Sequence, residues 1–160
     1  MKQGKGLIIA FFVTLAALFG CDTIDCTLDN TVVMRCSFFK DGNAVQLHDL
    51  LTITANDTNI VLLNSQRDAS YIELSLSYFN TEDTLVFHVT GDRYELTDTL
   101  WIKKTSYNHF ESPDCPVNMF HHITEVRSTH MYIDSVTITQ PDVNFAEHEN
   151  LQIHFYSSAD

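Results

Sequence analysis

An all-β sandwich is the fold that this sequence predicts for residues 31–160. Three observations carry the prediction. Short runs rich in Val, Ile, Thr, Phe and Tyr recur, clusters of Asp, Asn, Gly and Ser separate them, and helical periodicity is nearly absent. Thr31–Phe39 comes first, with Val32, Met34, Cys36 and Phe38 on one strand face, and it ends at the turn signal Asp41-Gly42-Asn43. Leu51, Ile53 and Ala55 alternate in the next run. Ile60–Leu63 follows as a short apolar strand after Asn56-Asp57. The clearest alternation sets Ile72, Leu74, Leu76 and Tyr78 against Glu73, Ser75 and Ser77. Asn80-Thr81-Glu82-Asp83 then turns the chain into Leu85, Phe87 and Val89, which predicts a hairpin. Gly91-Asp92 marks another turn, and Leu100–Lys103 starts a strand carrying Trp101. Tyr107–Thr129 reads as irregular. Tyr132–Thr139 and Leu151–Tyr156 close the pattern, giving about eight strands in one immunoglobulin-like sandwich.

Ahead of this domain the sequence predicts an export leader. Lys2 and Lys5 form a positive head, and Leu7 to Phe19 is an apolar run of 13 residues interrupted only by Thr14. A permanent spanning helix needs about 20 residues, so the run fits a cleaved signal peptide instead. It ends in Leu18-Phe19-Gly20-Cys21, which resembles the lipobox of bacterial lipoproteins, with Phe19 bulkier than the usual residue there. The expected organisation is a leader over 1–20, a lipid-anchored tether over 21–30 with lipid on Cys21, and the sandwich over 31–160.

Losing Lys2 and Lys5 with the leader leaves seven basic against 21 acidic side chains, a formal charge of −14 in place of −12. The basic pair Lys103-Lys104 stands without a wider cluster, which excludes nucleic acid as a partner. Contact with a membrane is expected through the lipid alone. Cys36 reads as a small core residue. Cys26 and Cys115 lie in polar, irregular stretches, and pairing them would close a loop of about 90 residues, worth on the order of 4 kcal/mol. The alternative is three free thiols. No Cys-x-x-Cys is present to suggest a zinc site.

Several segments together resemble an uncharacterised family of Bacteroides-type lipoproteins. They are Cys21-Asp22-Thr23-Ile24-Asp25-Cys26, His109-Phe110-Glu111-Ser112-Pro113-Asp114-Cys115, and Ile133-Asp134-Ser135-Val136-Thr137-Ile138 followed by Pro141-Asp142-Val143. The resemblance implies an envelope location and supports pairing Cys26 with Cys115. It implies no activity, the family being a domain of unknown function.

The candidate chemistries are thin. His109, His121, His122 and His130 fall within 22 residues, and His109, His121 and His130 with an acid are the candidates for a metal. No spacing of the His-Glu-x-x-His kind supports them, and an extended chain would point His121 and His122 to opposite faces. No Gly-x-Ser-x-Gly elbow is present, so no catalytic residue is assigned and no cofactor is expected. Glycan binding would draw on Trp101, out of phase with Leu100 and Ile102, with Tyr71, Tyr94 and Tyr107. Four Asp-Ser/Thr-apolar triplets, around Thr23, Thr84, Thr99 and Ser135, resemble acceptors for protein O-glycosylation, although a turn running into a strand reads the same way.

The reading that follows is a non-catalytic interaction module, lipid-anchored in the bacterial cell envelope at the outer membrane. Its contacts with an envelope protein would come from His109, Phe120, His121 and His130. A small hydrolase or metal-dependent enzyme built on the 109–130 loop is the first alternative, and a glycan-binding module the second.

Overall fold

Alternation in β1 (Met34–Lys40) sends Met34, Cys36 and Phe38 into the interior, as the sequence pattern predicts. The computed structural model describes residues 31–55, 60–146 and 148–157. The expected leader and tether, with Cys21, Thr23 and Cys26, lie outside the described residues. Ten further strands follow β1: β2 (Asn43–Ala44), β3 (Leu50–Ala55), β4 (Val61–Gln66), β5 (Tyr71–Leu74), β6 (Glu82–Thr90), β7 (Glu95–His109), β8 (Asn118–Ser128), β9 (Ile133–Ile138), β10 (Asp142–Val143) and β11 (Glu149–Phe155). No helix occurs among the described residues.

Two sheets share the strands. One runs β2-β1-β11-β9, with β5 also paired to β1, and the other runs β10-β8-β7-β6-β3-β4. Their inward rows meet in one core, with Phe38, Ile72, Leu74, Leu151 and Ile153 from the first sheet against Ile53, Leu85, Phe87, Leu100 and Ile102 from the second. Full burial of a side chain such as Phe38 stabilises by roughly 1.5–3 kcal/mol. The molecule is an all-β sandwich, with eleven strands among the described residues rather than about eight. The two extra-short strands, β2 and β10, hold two residues each and carry no readable alternation. The five-and-six layout is also not the four-and-three division of an immunoglobulin constant-type sandwich.

Two expectations need correction. The predicted hairpin over 72–89 does not form, because β5 pairs with β1 while β6 pairs with β3 and β7 in the opposite sheet. The segment between them crosses the sandwich, carrying Leu76 into the core and leaving Tyr78 exposed. The stretch Tyr107–Thr129, expected to be irregular, is so mainly over 110–117. The rest is the far half of the longest hairpin among the described residues, β7–β8, paired from Leu100↔Ser128 to His109↔Asn118.

Strand directions give the sandwich two distinct ends. β1 starts beside the start of β11, and these two run parallel. At the same end lie the ends of β5 and β9, the end of β3 with the start of β4, the start of β6 and the β7–β8 tip. Buried Asn150 ties this end together. Its side-chain Oδ1 accepts from the Arg35 backbone N–H at 3.0 Å, and its side-chain Nδ2 donates to the Gln140 and Asp142 carbonyls, each at 3.0 Å. Chain entering β1 therefore arrives at the hairpin end.

Candidate functional site

The long hairpin presents two rows of side chains, and a single irregularity sets which is which. Lys103 pairs with Glu125 and Lys104 with Ile123, so Thr124 is an extra residue on β8. A bulge of this kind shifts the alternation on one strand. Ile123 and His121 stay inward, while Thr124 and Glu125 turn out. Residues 104–109 extend past β6, whose first pair is Glu82↔Lys103.

The inward row is polar where the hairpin leaves the core. The Lys104 side chain is fully buried, with Nζ 3.2 Å from Asp83 Oδ2. It also donates to the Ser77 carbonyl at 2.9 Å and the Asn80 carbonyl at 2.5 Å, and Asp83 Oδ2 accepts the Ser77 N–H at 3.1 Å. Asp83 Oδ2 thus accepts from both Lys104 and Ser77, and the ammonium is further held by two carbonyls of the crossing segment. A cleft of about 370 Å³ opens beside Asp83, lined by Leu62, Leu76, Leu85 and Asn80 among others. Next along the row, the Ser106 hydroxyl lies 2.8 Å from His121 Nδ1. Burial, and then the nearby Lys104 charge, push the His121 ring down to about 4. A serine beside a histidine suggests a nucleophile and its base, but a base is most effective with a pKa near the working pH. A ring held near 4 is a weak acceptor of protons at neutral pH.

The outward row is aromatic. His109 stacks on Phe120 with ring centres 4.2 Å apart and planes 10° from parallel. Tyr107 meets Phe120 edge-on at 5.9 Å, and Phe145, from the segment between β10 and β11, meets it edge-on at 4.9 Å. Phe120 is buried by these neighbours yet lies outside the main core. Edge-on and offset ring pairs of this kind each add about 0.5–1.5 kcal/mol beyond burial. His122, on the same strand, instead reaches Asp142 on β10 at 2.6 Å.

Of the four residues predicted to make contacts, the structure brings together only His109 and Phe120. His121 faces inward, opposite to His122, as an extended chain requires. His130 lies past the far end of β8, roughly 30 Å from His109 at about 3.4 Å per strand residue. It sits at φ 57°, with Nδ1 2.7 Å from the Asp134 carbonyl. His109, His121 and His130 do not converge, and among the described residues no group of three or more His, Cys, Asp or Glu is set to hold a metal.

The aromatic set considered for glycans does not assemble either. Trp101 is half-buried on the outer face under the Arg127 guanidinium, 5.3 Å from the ring. Tyr107 shares that face, whereas Tyr71 lies in the other sheet beneath Arg35, and Tyr94 sits in the β6–β7 turn, bonded to Asp49. In two of the four triplets the aspartate has a structural task. Asp83 holds Lys104. Asp98 Oδ2 accepts the backbone N–H groups of Met131 at 2.9 Å, Tyr132 at 2.7 Å and Ile133 at 2.8 Å, and Oδ1 accepts from Thr99 and Thr129. Thr84 and Thr99 are half-buried strand residues, while Ser135 is exposed on β9.

Sequence reasoning missed Lys104, Asp98 and Phe145. Lys104 was findable, since it continues the inward series Leu100, Ile102. Asp98 and Phe145 carry no local signal. Among the described cysteines Cys36 is free and buried, and Cys115 is not a free thiol.

Neither a curated protein nor a solved structure matches the chain. A family described as a family of unknown function, DUF6452, matches residues 50–155, which runs from β3 to the end of β11 and includes the whole β7–β8 hairpin. The chain belongs to that family of unknown function.

Proposed function

We propose that this protein is a lipid-anchored module of the bacterial cell envelope, held at the outer membrane through Cys21, that works by binding a neighbouring envelope protein without turnover. The observation that carries the reading is the His109–Phe120 stack with Tyr107 and Phe145 around it. Rings packed on the outer face of a strand pair, away from the main core, make a rigid contact surface. Aromatic side chains of this kind dominate the energy of protein interfaces. Pairing of Cys26 with Cys115 is part of the reading. It is supported by Cys115 not being a free thiol and by the deep burial of its rival Cys36. Such a bridge would hold the hairpin loop within five residues of the lipid-bearing cysteine.

A photo-crosslinking residue at position 107, compared with one at position 130, tests this in native envelopes. The expected result is one discrete protein adduct from position 107, lost on Phe120→Ala, and none from position 130. Absence of any adduct from 107 would contradict the reading. So would turnover of a substrate that disappears on His121→Ala, which would favour an enzyme instead.

A further inference from the structure

Exposed apolar side chains are distributed unevenly between the two ends of the sandwich. Among the described residues, Ile60, Val61, Tyr78, Phe79, Tyr107, Phe110 and Val117 lie at the hairpin end. The other large exposed ones are Tyr71, Tyr94, Met131 and Tyr156, three of them tyrosines with a hydroxyl to hydrate. Phe79 is 93% exposed and Phe110 59%. They come from separate segments, Phe79 from the β5–β6 crossing and Phe110 from the loop after β7, so folding of one loop does not explain both. Neither is needed for the core.

We infer that the hairpin end seats on the lipid surface, with Phe79 and Phe110 inserted into the membrane interface. The inference rests on the lipid-anchored reading above and adds an orientation to it. Chain length makes the seat reachable and close. Cys21 precedes Met34, the first residue of β1, by 13 residues, a maximum reach of roughly 45 Å at about 3.4 Å per residue. β1 starts at the hairpin end, so the tether emerges from the end that carries the exposed rings. Chemistry selects the lipid. Aromatic side chains favour the boundary between headgroups and acyl chains, and an interfacial contact strengthens with the apolar area it buries. Glu111 and Asp114 flank Phe110, so attraction to anionic headgroups is not the cause, and a zwitterionic surface suffices. Because residues 104–109 carry the tip beyond the start of β6, Phe79 and Phe110 reach one plane in a tilted seat, with the long hairpin leaning along the membrane.

The single tryptophan makes the test clean. In a Trp101→Phe background, Phe79→Trp, Phe110→Trp and Met131→Trp each give one reporter at an exposed position. Each lipidated full-length protein is reconstituted on phosphatidylcholine vesicles with brominated acyl chains. Loss of emission at 79 and 110, with none at 131, is the expected result. Three outcomes overturn the inference. Vesicle-bound, lipidated protein with 79 and 110 unquenched would leave the anchor intact and sink the seat alone. Blue-shifted emission at 79 and 110 in the unlipidated Cys21→Ser protein without vesicles would show that its own chain covers the rings. Protein that acquires no lipid at all would remove both the seat and the reading beneath it.

Discussion

Lys104 Nζ lies 3.2 Å from Asp83 Oδ2, with the lysine side chain fully buried and the aspartate side chain 8% exposed. The pair joins β7 to the start of β6, just where the chain has crossed from one sheet to the other. Two charges removed from water are costly, and their mutual attraction with full hydrogen bonding repays that cost. Lys104→Met should therefore destabilise the domain by roughly 3–5 kcal/mol, because Asp83 is left charged and unpaired. Lys104→Met with Asp83→Leu should recover part of that loss. About 1–3 kcal/mol would remain for the Ser77 N–H deprived of its acceptor. Denaturant unfolding of the two variants measures both, and equal losses would show that the pair does not act as a unit.

Acid should unfold the protein in two separable windows. Burial opposes ionisation of Asp98, but the Thr129 hydroxyl and the N–H groups of Ile133, Tyr132 and Thr99 outweigh it and hold the carboxyl below its ordinary 3.8. A depressed carboxylate contributes stability that is present above its unfolded value and lost as pH falls through the folded one. His121 sits at about 4 against an ordinary 6.5. Between those values the unfolded chain binds a proton that the folded chain refuses, so stability also falls with pH there. His121→Gln should flatten the stability profile between 6.5 and 4, and Asp98→Asn should flatten the limb below 4 while lowering stability at neutral pH. Unfolding free energies across pH 3–7 decide it, and unchanged slopes in both variants would contradict the assignment.

How far these features were legible follows from the same residues. The faces of β1, β3 and β6 were readable because Met34, Cys36 and Phe38, Leu51 and Ile53, and Leu85, Phe87 and Val89 alternate without interruption. The crossing at 75–81 was not. Asp83 looks like the last residue of a turn, and only its buried contact with a lysine 21 positions later shows otherwise. The hairpin beyond Lys103 was hidden by physics that breaks alternation. A bulge at Thr124 shifts β8, and the inward row carries Lys104, which reaches the crossing segment, and Ser106 and His121, which pair with each other across the hairpin. Of the site, His109 and Phe120 were named from sequence. Phe145 was not, because it arrives from a segment 25 residues away.

The thiols should react in a fixed order. Burial, then the Glu149 charge, push the Cys36 thiol far up, so it carries almost no thiolate in the folded protein. Alkylation of the native protein should leave Cys36 unmodified until denaturant is added, and peptide mapping without reduction should find Cys26 joined to Cys115. Recovery of Cys36 in a disulfide would place the β1 core face wrongly.

The anchor at Cys21 underlies the whole functional account, and fatty-acid labelling with membrane fractionation tests it most directly. The account predicts that wild-type protein takes up label and sediments with the outer membrane, and that Cys21→Ser loses the label and appears, folded, in the soluble fraction. Undiminished labelling and membrane retention of the Cys21→Ser protein would contradict it.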